Sequence, residues 1–131
     1  MKISLFTLNS IVLSTLASAS PACIPYGKAS IHGTLNRHTF YGAPGFGEDP
    51  AHDAKEAGFY LDLPTPICTI AGENENEAKQ GVRRVQLVLN QKGYDTLRPK
   101  LGKSLTLRGE LFGALTGYHH APLLLDVKFS K

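Results

Sequence analysis

Two adjacent histidines, His119 and His120, with Tyr118 just before them, are the densest chemistry in this chain of 131 residues. Imidazole offers a donor and an acceptor, titrates near neutral pH and ligates zinc. Neighbouring side chains on an extended segment point to opposite faces, so the pair could chelate one ion only if the backbone turned. A zinc site needs three or four ligands at about 2.0–2.3 Å. His32, His38, His52, Asp49 and Asp53 could complete such a set, all of them distant in sequence. His52, His119 and His120 are the weak metal candidates, and no metal or other cofactor is assigned. Catalysis finds less support. The chain contains no Gly-x-Ser-x-Gly turn, no phosphate-binding glycine loop and no His-Glu-x-x-His. No acid is marked out to partner a histidine base, and Arg83, Arg84 and Arg108 read as solvent-facing strand positions. No catalytic residue is assigned, and the expectation is a protein that is not an enzyme.

The elements that must position these residues show in the hydrophobic pattern. Ser30–Phe40 alternates, with Ile31, Gly33, Leu35 and Arg37 on one face and His32, Thr34, Asn36 and His38 on the other. A glycine inside a strand marks a bend or bulge, so Gly33 predicts one. Tyr41–Ala57 is a long connection rich in Gly and Pro. Gly58–Ile70 is a second strand with Phe59, Leu61 and Leu63 alternating against Tyr60 and Asp62, and Pro64-Thr65-Pro66 predicts a bend in it. Glu73–Glu77 is an acidic turn without the spacing of a calcium loop. Val82–Leu89 is a third strand with Val85, Leu87 and Leu89 inward. Asn90–Leu101 holds at most a short helix, limited by Pro99 and ended at Gly102. Lys103–Phe112 and Leu123–Phe129 are the fourth and fifth strands.

Strand, strand, strand, short helix, strand, strand is the order of the oligonucleotide/oligosaccharide-binding (OB) fold, a five-stranded Greek-key barrel. The expected fold is therefore mainly β, one small barrel of that type. An open meander with a helix on one face is the alternative. In an OB barrel the first-to-second and fourth-to-fifth connections flank the ligand-binding face. Here those are residues 41–57 and 113–122, which predicts a rim formed by Tyr41, Phe46, His52, Tyr60, Tyr118, His119 and His120. The competing reading is that these rings only pack the loops down.

Residues 1–19 look like an export signal, with Lys2, a diluted apolar run Ile3–Leu16, and the small-x-small site Ala17-Ser18-Ala19. Residues 20–131 then form a single domain with no membrane span. An exported chain with two cysteines favours a Cys23–Cys68 disulfide. Ser20-Pro21-Ala22 is a poor lipidation signal, which disfavours a lipoprotein anchored through Cys23. Without Lys2 the chain carries 13 Lys+Arg against 11 Asp+Glu. That balance, export and the absence of Trp argue against nucleic acid, whose single-strand binders combine a basic groove with stacking rings. The expected protein is a monomeric periplasmic or secreted binding module for an envelope protein or glycan. A histidine-based metal binder is the alternative.

Leu97–Phe112 (LRPKLGKSLTLRGELF) and Thr116–Leu125 (TGYHHAPLLL) carry a family resemblance. So do Gly33-Thr34-Leu35 with Arg37, Thr39 and Phe40, Gly42-x-Pro44-Gly45-Phe46, Pro66-Ile67-Cys68 and Val85-Gln86-Leu87. The chain resembles the small exported bacterial proteins grouped as domain of unknown function 4431. The resemblance implies a secreted or periplasmic protein with no established activity. In that family the tract at the rim is often richer in histidine. Leu115, Tyr118 and Ala121 stand at those places here, which weakens a metal role for this chain.

Overall fold

A computed structural model describes Ser4, residues 22–74 and residues 76–129. The export signal expected over residues 1–19 therefore lies, Ser4 apart, outside the described residues. The chain is mainly β. Its elements are β1 (Gly27–Tyr41), β2 (Lys55–Ile67), β3 (Val82–Val88), α1 (Gln91–Leu97) running into a 3-10 turn (Arg98–Lys100), β4 (Ser104–Gly113) and β5 (Leu123–Val127). All five strands belong to one sheet in the order β1-β2-β3-β5-β4, and β4 pairs back onto β1, so the sheet closes on itself.

Closure depends on β1 serving two neighbours. Its first half, Gly27–Thr34, pairs with β4, and its second half, Thr34–Tyr41, pairs with β2. The changeover falls beside Gly33, where the sequence predicts a bend. A Cβ there would stand 2.8 Å from the Asp62 carbonyl oxygen and 3.2 Å from Leu61 and Leu63 side chains, so only glycine lets the strands cross this closely. The register of β2 against β3 shifts between Asp62 and Ile67, around the two prolines. The remaining closing pair, β3 with β5, is parallel.

The inward faces match the alternation. Ile31, Leu35, Phe59, Leu61, Val85, Leu87, Leu107, Leu111, Leu123 and Leu125 share one core with Leu97 from the helix. Asn90 caps α1 by accepting the Gly93 N–H at 2.8 Å. Tyr94 meets the Phe59 ring edge-on at 4.9 Å. Cys23 and Cys68 are bonded, with an S–S distance of 2.03 Å. Hydrogen bonds Ile24 N to Cys68 O and Ile70 N to Ile24 O then tie the N-terminal segment beside the end of β2. No helix among the described residues is long and apolar enough to cross a membrane.

Two expectations need correction. The first connection is shorter than 41–57, because Tyr41 and Lys55–Ala57 are paired strand residues (Tyr41 with Lys55, Thr39 with Ala57), leaving 42–54 as loop. Small and polar residues hid that extension, since it lies beyond the core and shows no hydrophobic alternation. The second strand ends at Ile67 rather than Ile70, and Thr69 makes an isolated parallel bridge to Ile24 instead.

Candidate functional site

Alternation puts Asn36, Tyr60, Gln86, Leu124 and Phe112 on the face opposite the core, and the registers make them successive cross-strand neighbours. An outward Leu would ordinarily be wet. Leu124 is 0% and Tyr60 1% exposed: Tyr60 packs against the His38 and Phe40 rings, and loop 114–122 docks on the row at Gln86. Gln86 holds it in place: its Oε1 accepts the His120 N–H at 2.6 Å and its amide donates to the Tyr118 carbonyl at 3.2 Å. The His120 ring stacks flat on Phe40 with centroids 4.7 Å apart, and Nε2 lies 2.8 Å from Glu56 Oε2.

His119 points the other way and serves its own loop. Its Nδ1 accepts the Leu115 N–H at 2.8 Å, so the neutral ring carries its proton on Nε2. Burial, with the neighbouring His120, lowers its pKa below the usual histidine value. The ring edge rests on Phe112 at 5.9 Å. Neutral His119 is thus part of the turn that presents Tyr118.

Loop 42–54 is organised by Asp53, which is 8% exposed. Its carboxylate accepts the N–H groups of Gly45 (2.6 Å), Gly47 (2.8 Å) and Asp49 (3.1 Å). Burial raises its pKa, but those three donors more than offset that and the net shift is downward. The loop so fixed holds Phe46 at φ 51°, a left-handed backbone that costs a bulky residue strain. Phe46 meets Tyr118 edge-on at 5.5 Å. The approach requires Gly117, since a Cβ there would sit 2.8–3.0 Å from the Phe46 ring. The two loops therefore form one rim, with Phe46 42%, Tyr118 53%, Leu115 57% and Tyr41 40% exposed at its surface.

Of the seven rim residues expected, the structure joins Phe46 to Tyr118 and sets Tyr41 beside Gly47 of the same loop. His119 and His120 hold the second loop, and Tyr60 lies beneath it against Phe40 and His38. Burial, reinforced by Tyr94, pushes the Tyr60 phenol up to about 12 against the opposing pull of Arg84, so it stays neutral at ordinary pH. His52 stands apart, its ring largely in solvent and paired to Asp49 at 2.8 Å. Among the described residues, no three His, Cys, Asp or Glu side chains gather so as to hold a metal ion.

Sequence reasoning missed the polar hub beside this face. Asp62 accepts from Asn36 Nδ2 (2.6 Å), His38 Nε2 (2.8 Å) and Arg84 Nε (2.7 Å). Burial raises its pKa, yet these hydrogen bonds win and hold it down at about 2. Alternation already put Asn36, His38, Asp62 and Arg84 on outward faces; only the register reveals that they meet.

No curated protein and no solved structure matches the chain. A family model does match residues 84–131, which run from β3 through the helix and the second rim loop to the end of the chain. Over that segment, which includes Arg84, Gln86 and Tyr118–His120, the chain resembles the family described as domain of unknown function (DUF4431).

Proposed function

We propose that this protein is an exported, non-catalytic binding module on an OB-type Greek-key barrel, taking an envelope protein or glycan at the joined rim of loops 42–54 and 114–122. Strand order, the parallel β3–β5 pair and the helix between β3 and β4 support the OB reading. The export-like leader and the Cys23–Cys68 bond support a location outside the reducing cytoplasm.

One observation carries the binding reading. Loops that meet through Phe46, Gly117 and Tyr118 leave both rings about half in water, although the scaffold beneath them is hydrogen-bonded and closed. Exposed aromatic side chains on a fixed frame give contact area at low entropy cost. The carboxylates nearby are engaged in holding structure, and Glu56, Asp53 and Asp62 all have partners.

The test compares wild type with a Phe46→Ala/Tyr118→Ala double variant. Immobilised wild type is expected to retain a discrete envelope protein or the insoluble cell-wall glycan fraction. The double variant should bind that species at least about tenfold more weakly, as truncating aromatic anchors does. Its melting temperature should stay within a few degrees of wild type, since both rings are surface residues. Equal retention by the two proteins overturns the reading.

A further inference from the structure

The β1–β2 ribbon has a second face. Its outward side carries His38, Phe40, Glu56 and Tyr60 toward loop 114–122. Its other side continues the core row past the end of the closed sheet, where Arg37 pairs with Phe59. There the seven-residue α1 meets the ribbon through Tyr94, whose ring stands edge-on to Phe59 at 4.9 Å. A cleft of about 430 Å³ remains, lined by Arg37, Phe59, Gln91, Tyr94 and Arg98 with Leu101 at its edge.

We infer that this cleft is a binding site for a small anionic ligand with a ring or other flat apolar body, the anion being a carboxylate or a phosphate ester. Arg37 falls in sequence with Ile31, Gly33 and Leu35, yet it is exposed and its guanidinium meets no described residue in an ion pair or side-chain hydrogen bond. Arg98 gives one N–H to Asp95 Oδ1 at 2.9 Å, and Gln91 gives its amide to the same oxygen at 3.0 Å. That single carboxylate fixes both donors at the mouth and leaves most of the Arg98 fork unused. A guanidinium pairs with carboxylate or phosphate through parallel hydrogen bonds, which a solvated lysine does less well. Tyr94, half-buried and backed edge-on by the buried Phe59 ring, supplies an aromatic wall against which a flat body can pack. The site is independent of the rim, because its residues occupy the opposite face of the ribbon.

The experiment titrates the exported chain, disulfide intact, with phenyl phosphate, benzoate, inorganic phosphate and phenol. Heat of binding and the NMR shifts of the Arg37, Gly58 and Tyr94 amides are followed. Saturable binding of phenyl phosphate or benzoate at about millimolar Kd or tighter is expected, with inorganic phosphate and phenol each about tenfold weaker. The tighter of the two ring-bearing anions assigns the site to phosphate esters or to carboxylates. Arg37→Ala and Arg98→Ala should each weaken that ligand about tenfold, with Arg37→Lys intermediate. The Phe46→Ala/Tyr118→Ala variant should bind it as wild type does. Absence of saturation by both anions, phenol binding as tightly, or binding indifferent to both alanine variants would overturn the assignment.

Discussion

Asp62 is where single residues decide most. Three donors from two other strands converge on its carboxylate, and a group so held is stabilising only while it is ionised. Its pKa falls from an ordinary 3.8 to about 2 in the fold. The sign follows directly: protons bind the unfolded chain more readily, so this contribution is full above pH 4 and is lost as pH drops from about 4 to 2. Asp62→Asn keeps the shape but discards the charge, and at pH 7 it should cost about 1–3 kcal/mol. The difference in melting temperature from wild type should shrink steadily between pH 4 and pH 2. A constant gap, or none at pH 7, would show that Arg84, His38 and Asn36 do not depend on the charge. Asp53 does comparable work within one loop, ordering three backbone N–H groups. Neither aspartate could be singled out from residue type alone. A carboxylate in a Gly-rich stretch or an alternating strand ordinarily faces water, and nothing local marks one whose partners arrive from elsewhere.

At the level of elements, the two rim loops act as a pair. Gly117 is the contact: with no side chain it admits the Phe46 ring, which in turn meets Tyr118. Gly117→Ala would press a methyl group into the end of that ring, a flexible side chain on an exposed loop that can swing away. The expected outcome is at most about 1 kcal/mol of lost stability but a loss of partner retention close to that of the Phe46/Tyr118 double variant. Undiminished retention would mean that the loops need not touch to bind. The strands themselves were legible because burial on one face writes period-two alternation, and residues 31–35, 59–63, 85–87 and 123–127 show it plainly. Gly33, where β1 passes from β4 to β2 in close contact with Asp62, and the positive-φ Gly102 just past the helical turn were marked by residue type alone. What periodicity could not show is that β1 and β2 run on to Tyr41 and from Lys55, beyond any core. Nor could it show that outward Leu124 and Tyr60 are buried, because Tyr60 lies against rings from β1 and loop 114–122 docks on this face through Gln86, on another strand.

The whole molecule is a small closed sheet whose first strand is shared between two partners and whose N-terminal segment is crosslinked to the end of the second. The Cys23–Cys68 bond spans 45 residues, a stretch that contains all of β1, the first rim loop and β2. Closing a loop of that length in the unfolded chain is worth about 4 kcal/mol in the chain-entropy view. For a domain of this size, each kcal/mol moves the melting temperature by several degrees, so reduction should lower it by about 10–20 °C. The native contacts on either side do not rest on the sulfurs alone: Ile24 pairs with Thr69, and the Tyr26 hydroxyl donates to the Glu77 carbonyl at 2.5 Å. The reduced protein should therefore still fold at 25 °C with unchanged β-sheet circular dichroism. A Cys23→Ser/Cys68→Ser variant made without reductant should melt where the reduced wild type does. If it melted with the oxidised protein instead, the crosslink would be stabilising nothing. The closed sheet would then owe its persistence to the core of Leu35, Leu61, Val85, Leu123 and Leu125 alone.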